Sequence, residues 1–302
     1  MIGTLTTAVL PIFVVAGLGA IVGKVLKLDS LPISRVTLYI FSPALIFRSL
    51  STADIPMQDV VNVFLFMVIW LPLLYLFCWT VAKRSKLRDE AQSAFLLSTL
   101  FMNAINYGLP VSFLAFGEEG LQRALLFMVP QALMGGTLAV YVASRGKSGN
   151  LRALLMILRM PMFYATVLAV IANPLNIVWP TFVDVPLQML GDAAIPAMLM
   201  VLGIQLANAP LRENLLPAGV ATIIRLVISP ALAYGVTLLL GIDGITQYVV
   251  IVLAGMPSAV YTIILATEFE ARPRQVTTSV ALSTLSSVVT ITALIWLVQN
   301  FL

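Results

Sequence analysis

Hydrophobic residues in this chain come in long unbroken runs, separated by short stretches where charge, proline and glycine gather. Ten runs reach the length that spans a bilayer: about Leu5 to Gly23, Ile33 to Leu50, Val60 to Ala82, Ala91 to Phe116, Leu121 to Ser144, Ala153 to Ala172, Pro186 to Leu206, Leu215 to Leu240, Gln247 to Thr267 and Gln275 to Gln299. About twenty apolar residues in a helix match the roughly 30 Å of hydrocarbon. Hydrocarbon offers no partner to open backbone groups, and barrel strands would be shorter and alternating, so these runs predict helices. The expected fold class is an all-α polytopic membrane protein with ten transmembrane helices.

Two of the runs carry an interruption. The fourth contains Phe101-Met102-Asn103-Ala104-Ile105-Asn106-Tyr107-Gly108-Leu109-Pro110, and the ninth contains Ala254-Gly255-Met256-Pro257-Ser258-Ala259. A proline removes one backbone donor and clashes with the preceding turn, and a neighbouring glycine loosens the helix further. Both runs are therefore expected to break near mid-membrane, with their second halves starting at Pro110 and Pro257. Each restarted half would aim free N–H groups and the positive end of its dipole into one region, where anionic groups are stabilised. The carbonyls left open by the first halves favour a cation or a donor. Asn103, Asn106, Tyr107, Gly108, Ser258, Tyr261 and Thr262 stand close enough in sequence to complete a pocket with Gly255 and Met256. On the plainer reading, Gly and Pro only kink two helices and the Asn side chains satisfy backbone groups.

The prolines also repeat. Pro11-Ile12-Phe13 and Pro161-Met162-Phe163 lie 150 residues apart, Pro43-Ala44-Leu45 and Pro196-Ala197-Met198 153 apart, Pro72 and Pro230 158 apart, and Pro110 and Pro257 147 apart. Ten spans split five and five, with a boundary at 1–150 and 151–302. Five is odd, so the second repeat would run through the membrane inverted relative to the first. Ordinary kink prolines are the alternative.

Charge sets an expected orientation. Connections after odd-numbered spans carry Lys24, Lys27, Arg35, Lys83, Arg84, Lys86, Arg88, Arg145, Lys147, Arg152, Arg159, Arg212, Arg272 and Arg274, whereas the opposite side has Arg48 and Arg123. Positive loops stay in the cytoplasm, which places both chain ends outside and Arg145 to Arg152 inside. Met1 to Val22 lacks a basic leading region and is expected to remain as the first helix. Net charge of +4 reflects this topology, and no nucleic-acid partner is expected. With 60% apolar residues, 10% charged residues and a mean hydropathy of +1.03, a water-soluble globule is excluded. One cysteine, Cys78, and no histidine leave no disulfide, no Cys/His metal cluster and no catalytic Ser-His or Cys-His pair. Neither cofactor nor enzymatic activity is expected.

Ionisable residues away from the membrane surface are few, and two of them are candidates for function. Arg225, ten residues into span 8, costs about 2.5–3.5 kcal/mol at that depth on insertion scales, so a compensating partner is expected. A substrate carboxylate, an Asp, or snorkelling to the surface would each serve. Asp192 in span 7 is either a coupling site for a proton or cation, or a helix-end cap. Gly19-Ala20-Ile21-Val22-Gly23 matches GxxxG and marks either helix or dimer packing.

The chain resembles the auxin efflux carrier family in its bacterial permease form. The resemblance rests on Asn103 with Gly108-Leu109-Pro110 downstream, Ala193-Ala194-Ile195-Pro196-Ala197 leading to Leu202-Gly203, Met256-Pro257-Ser258-Ala259, and Ser283-Thr284-Leu285-Ser286-Ser287. It implies two inverted five-helix repeats, a scaffold of spans 1, 2, 6 and 7 that commonly dimerises, and a transport unit of spans 3 to 5 and 8 to 10. Crossing helices 4 and 9 would hold the substrate at Asn103 and around Pro110 and Pro257. Tyr261 stands where many members have an Asn mirroring the one in span 4. The implied function is elevator-like secondary transport of a small organic anion across the cytoplasmic membrane by a homodimer. A sodium-coupled carrier resembling the bile acid symporters is the nearest alternative, and a channel a more distant one.

Overall fold

The computed structural model describes residues 1–144, 161–175, 177, 179–207 and 215–302. The expected cytoplasmic charges Arg145, Lys147, Arg152, Arg159 and Arg212 lie outside the described residues, as does the expected repeat boundary at 150. Among the described residues the fold is all-helical, and the one strand-like feature is an isolated antiparallel bridge between Met102 and Ser258.

Among the described residues, seven helices are long and apolar enough to cross a membrane: α1 (Ile2–Val25), α2 (Ser30–Ser51), α3 (Met57–Arg84), α5 (Ala104–Ala143), α7 (Thr181–Ala207), α8 (Leu215–Leu240) and α11 (Pro273–Phe301). Shorter helices complete the order: α4 (Asp89–Leu100), α6 (Pro161–Leu175), α9 (Gly244–Ala254) and α10 (Tyr261–Glu268). Within α5, Gly117 has φ +70° and ψ −161°, a non-helical backbone that divides its 40 residues into two rods. Glycine tolerates that conformation because it has no Cβ.

Four prolines share one local solution. Pro11, Pro43, Pro110 and Pro230 each follow a five-residue π turn, at Leu5–Val9, Thr37–Phe41, Ala104–Gly108 and Ile224–Ile228. The carbonyl that each proline cannot satisfy, four residues back, belongs to Thr7, Tyr39, Asn106 or Leu226 and lies inside that turn. Widening the turn relieves the clash between this carbonyl and the pyrrolidine ring, so the spans continue past their prolines.

Packing sorts the helices. α1 lies along α7, and α6 and α7 lie along α2, while α3, α4, α5, α8, α9 and α11 pack mainly on one another. Small residues bring α1 and α7 together: a Cβ on Gly203 would fall 1.8 Å from the Ala16 carbonyl oxygen, and one on Gly19 would fall 2.5 Å from that of Met200. Gly23 likewise faces Ile204 at 2.9 Å, so both glycines of the GxxxG match serve contact within the chain.

Candidate functional site

α4 ends at Leu100 and the chain turns extended at Phe101 (φ −107°, ψ 123°) before Asn103 (φ −80°, ψ 68°) leads into α5. α9 ends at Ala254, and Gly255 to Val260 separate it from α10. The two irregular segments run antiparallel against each other. Asn103 N–H donates to the Pro257 carbonyl at 2.8 Å, and Ala259 N–H donates to the Phe101 carbonyl at 2.9 Å. Main-chain groups that no helix can satisfy here satisfy one another, as a low-dielectric interior requires.

The helix after the first interruption resumes at Ala104, six residues ahead of Pro110. Pro110 therefore lies in an ongoing helix behind a π turn, where the sequence reading put it at a fresh start. The physical reason is that a π turn absorbs the proline clash without a break. Pro257 sits inside the second interruption, and its carbonyl accepts from Asn103. Helix α10 then opens with Thr262 Oγ1 donating to the Ala259 carbonyl at 2.6 Å.

Arg225 packs against this arrangement, fully buried. Its Nε donates to the Met256 carbonyl at 3.0 Å, Nη1 to those of Thr99 and Leu100 at 3.0 and 3.2 Å, and Nη2 to that of Ala254. The guanidinium also lies 5.7 Å from the Trp70 ring centroid, a cation–π distance. Among the described residues it meets no Asp, and its donors are directed inward at backbone oxygens. Carbonyls at a helix C-terminus carry the negative end of the dipole, and one planar cation bonds the ends of both α4 and α9. Two hydroxyls add to this: Ser229 Oγ donates to the Ala254 carbonyl at 2.7 Å and Ser258 Oγ to the Ser98 carbonyl at 2.6 Å.

The side chains singled out from the sequence fall into three groups. Asn103, Tyr107, Gly108, Pro110, Gly255, Met256, Pro257 and Ser258 are buried about the meeting point, with Asn106 half-buried and Tyr261 39% exposed. Gly108 and Gly255 permit close approach, since a Cβ would lie 2.7 Å from Leu253 Cδ2 at the first and 2.5 Å from Leu294 Cδ2 at the second. Asp192 is not brought there. It forms an ion pair with Arg48 of α2 at 3.5 Å, with its side chain 63% exposed.

α11 contributes two hydroxyls from the Ser283 to Ser287 motif that are not among the site residues expected from the sequence. Ser283 Oγ accepts from the Ser258 N–H at 3.1 Å, and Ser287 Oγ lies 3.0 Å from the Tyr107 hydroxyl, so one face of α11 lines the meeting point with hydroxyls. The i, i+4 spacing of Ser283 and Ser287 was the available signal. Asn103 differs from all of these. Its side chain is 5% exposed, and its Nδ2 has no hydrogen-bond partner among the described residues. A buried donor left unpaired costs about 1–3 kcal/mol, so this amide group is the point at which a ligand would be stabilising.

Comparison with known proteins agrees with a membrane carrier. A family model described as membrane transport protein matches residues 4–296. An uncharacterized transporter of Methanothermobacter thermautotrophicus is 30% identical over 292 residues, covering 95% of this chain and 96% of the relative. Another uncharacterized transporter, from Methanocaldococcus jannaschii, is 28% identical over 276 residues, covering 89% of each chain. A putative malonate transporter of Rhizobium meliloti is 28% identical over 201 residues, covering 63% of this chain and 62% of its own. The motifs around Asn103 and Pro257 and a match from one end of the chain to the other lead to one conclusion: this is a multi-pass transporter belonging to the membrane transport protein family, that of the auxin efflux carriers.

Proposed function

We propose that the protein is a secondary transporter of small organic anions and that the two interrupted spans cross at its substrate site. The observation that carries this reading is the unpaired, buried Asn103 amide beside the starts of α5 and α10. Several of the first N–H groups are already taken, Ala104 by the Met102 carbonyl and Thr262 and Ile263 by those of Ala259 and Val260, so the positive end of the helix dipole beside the Asn103 amide is what favours a carboxylate. Asn103 orients the anion, with Asn106, Tyr107 and Tyr261 around it. The distant likeness to a putative malonate transporter supports a dicarboxylate as the substrate class. Arg225 holds the helix ends, because its hydrogen bonds go to carbonyls. It also supplies the cation that those carbonyls favour, which argues against sodium at that position.

The packing supports ten spans in two inverted repeats. An inverted repeat pairs span 1 with 6 and span 2 with 7, so contact of α1 with α7 implies contact of α6 with α2, and both are present. Contacts of α3 with α4 and of α8 with α9 correspond in the same way, as do those of α3 with α5 and of α8 with α11. Helices α1, α2, α6 and α7 then form the scaffold and the dimer contact, and the others the unit that moves past it as an elevator. Burial of Asn103, Met256 and Ser258 gives a closed site, which such a movement opens to one side at a time.

The direct test is a thermal-unfolding screen of the purified protein against mono- and dicarboxylates, each with and without sodium. Stabilisation by one class of carboxylate, independent of sodium, is expected. Stabilisation that appears only with sodium would favour the sodium-coupled carrier, and none with any carboxylate would remove the proposal.

A further inference from the structure

The connection between α3 and α4 surrounds a cavity of about 440 Å³ lined by Lys83, Lys86, Leu87, Arg88, Asp89 and Gln92. Its shape is set by the backbone. Leu87 N–H returns to the Ala82 carbonyl at 2.9 Å and Lys86 N–H to that of Lys83 at 3.0 Å. Lys86 (φ 55°) and Asp89 (φ 50°) take left-handed conformations that cost a side chain roughly 1–2 kcal/mol each. The resulting tight turn sets three cations and one carboxylate around a single concavity. Neither Lys86 nor Arg88 forms a salt bridge among the described residues. Lys83 Nζ lies 5.3 Å from the ring centroid of Trp79, a residue type that favours the boundary between hydrocarbon and water. Below it, Leu76, Phe77 and Trp79 on α3 are exposed apolar surface.

We infer that this cavity binds the phosphate headgroup of an anionic phospholipid, whose acyl chains run down the exposed face of α3. A phosphodiester carries one negative charge and acceptor oxygens that match the excess of cations, and basic residues beside a span attract anionic lipid. The apolar surface directly below favours a lipid over a free phosphate. Because α4 runs from Asp89 straight to the residues before Asn103, a headgroup held here anchors the far end of the element that carries the first interruption.

Native mass spectrometry of detergent-purified protein with phosphatidylglycerol or phosphatidylcholine of identical chains tests this, comparing wild type with Lys86→Ala/Arg88→Ala. Wild type should retain phosphatidylglycerol in preference, and the double variant should lose that preference roughly tenfold with its lipid-free unfolding midpoint unchanged. If the midpoint falls, Lys86→Gln alone replaces it and should lose part of the preference. A preference that survives in the variants would overturn the site. Displacement of the lipid by millimolar glycerol phosphate would overturn the lipid assignment in favour of a soluble phosphate.

Discussion

Arg225 illustrates what a single residue contributes here. Truncating it to Ala leaves the carbonyls of Thr99, Leu100, Ala254 and Met256 without their guanidinium donor, at about 1–3 kcal/mol for each that finds no replacement. Lys keeps the charge, but its donors radiate from one point and do not reach carbonyls on two elements. The unfolding midpoint should therefore fall in the order wild type, Arg225→Lys, Arg225→Ala, and a midpoint for Arg225→Ala equal to wild type would contradict the assignment. The depth of Arg225 and its need for a partner were legible in the sequence. The partners were not, because they are backbone oxygens 29 to 126 residues away that carry no side-chain signature. Outside the meeting point, Arg48 and Arg123 are the two cations on the expected outer side, and both are compensated: Arg48 by Asp192, and Arg123 by Asp59 at 3.1 Å and Glu119 at 3.3 Å.

At the scale of elements, prolines and glycines decide shape in different ways. The repeated prolines are visible as a series, yet Pro11, Pro43, Pro110 and Pro230 do not break their helices, since a π turn precedes each, and of the prolines in the two interrupted runs Pro257 alone lies within an interruption. The interruption of the fourth run lies instead at Phe101 to Asn103, where main chain pairs with main chain, a tertiary event with no local signal beyond Asn103 itself. Glycine contacts differ in what they meet. An added Cβ at Gly203 would strike the backbone of Ala16, whereas at Gly108 it meets the far end of the Leu253 side chain and no backbone. Gly203→Ala should thus separate α1 from α7 and lower stability by about 1–3 kcal/mol, with Gly108→Ala costing less. Thermal unfolding of the two variants checks the order, and the reverse order would show that the α1–α7 contact is more yielding than its geometry implies.

For the whole molecule, the hydrophobic runs make the all-helical membrane class legible, because burial in lipid leaves a strong one-dimensional trace, and seven helices among the described residues are long and apolar enough to span. The pairing of α1 with α7 and of α6 with α2 leaves none, and it emerges only in three dimensions. The proposed inverted arrangement predicts which connections share a side of the membrane. With Cys78 buried, single cysteines at exposed sites report cleanly. Asp54→Cys and Asp243→Cys should react with an impermeant maleimide from the outside of intact cells, and Lys27→Cys only after permeabilisation. A parallel repeat would instead place Asp243 on the side of Lys27.

The proposed transport site requires a carboxylate to meet the Asn103 amide where the two interrupted spans come together. Equilibrium binding of the most stabilising carboxylate to wild type and to Asn103→Ala measures this directly. The variant should bind at least about tenfold more weakly, the loss of one hydrogen bond to a charged group, while its unfolding midpoint without ligand stays at or above that of wild type. Equal affinity in the two proteins would place the anion elsewhere and contradict the account.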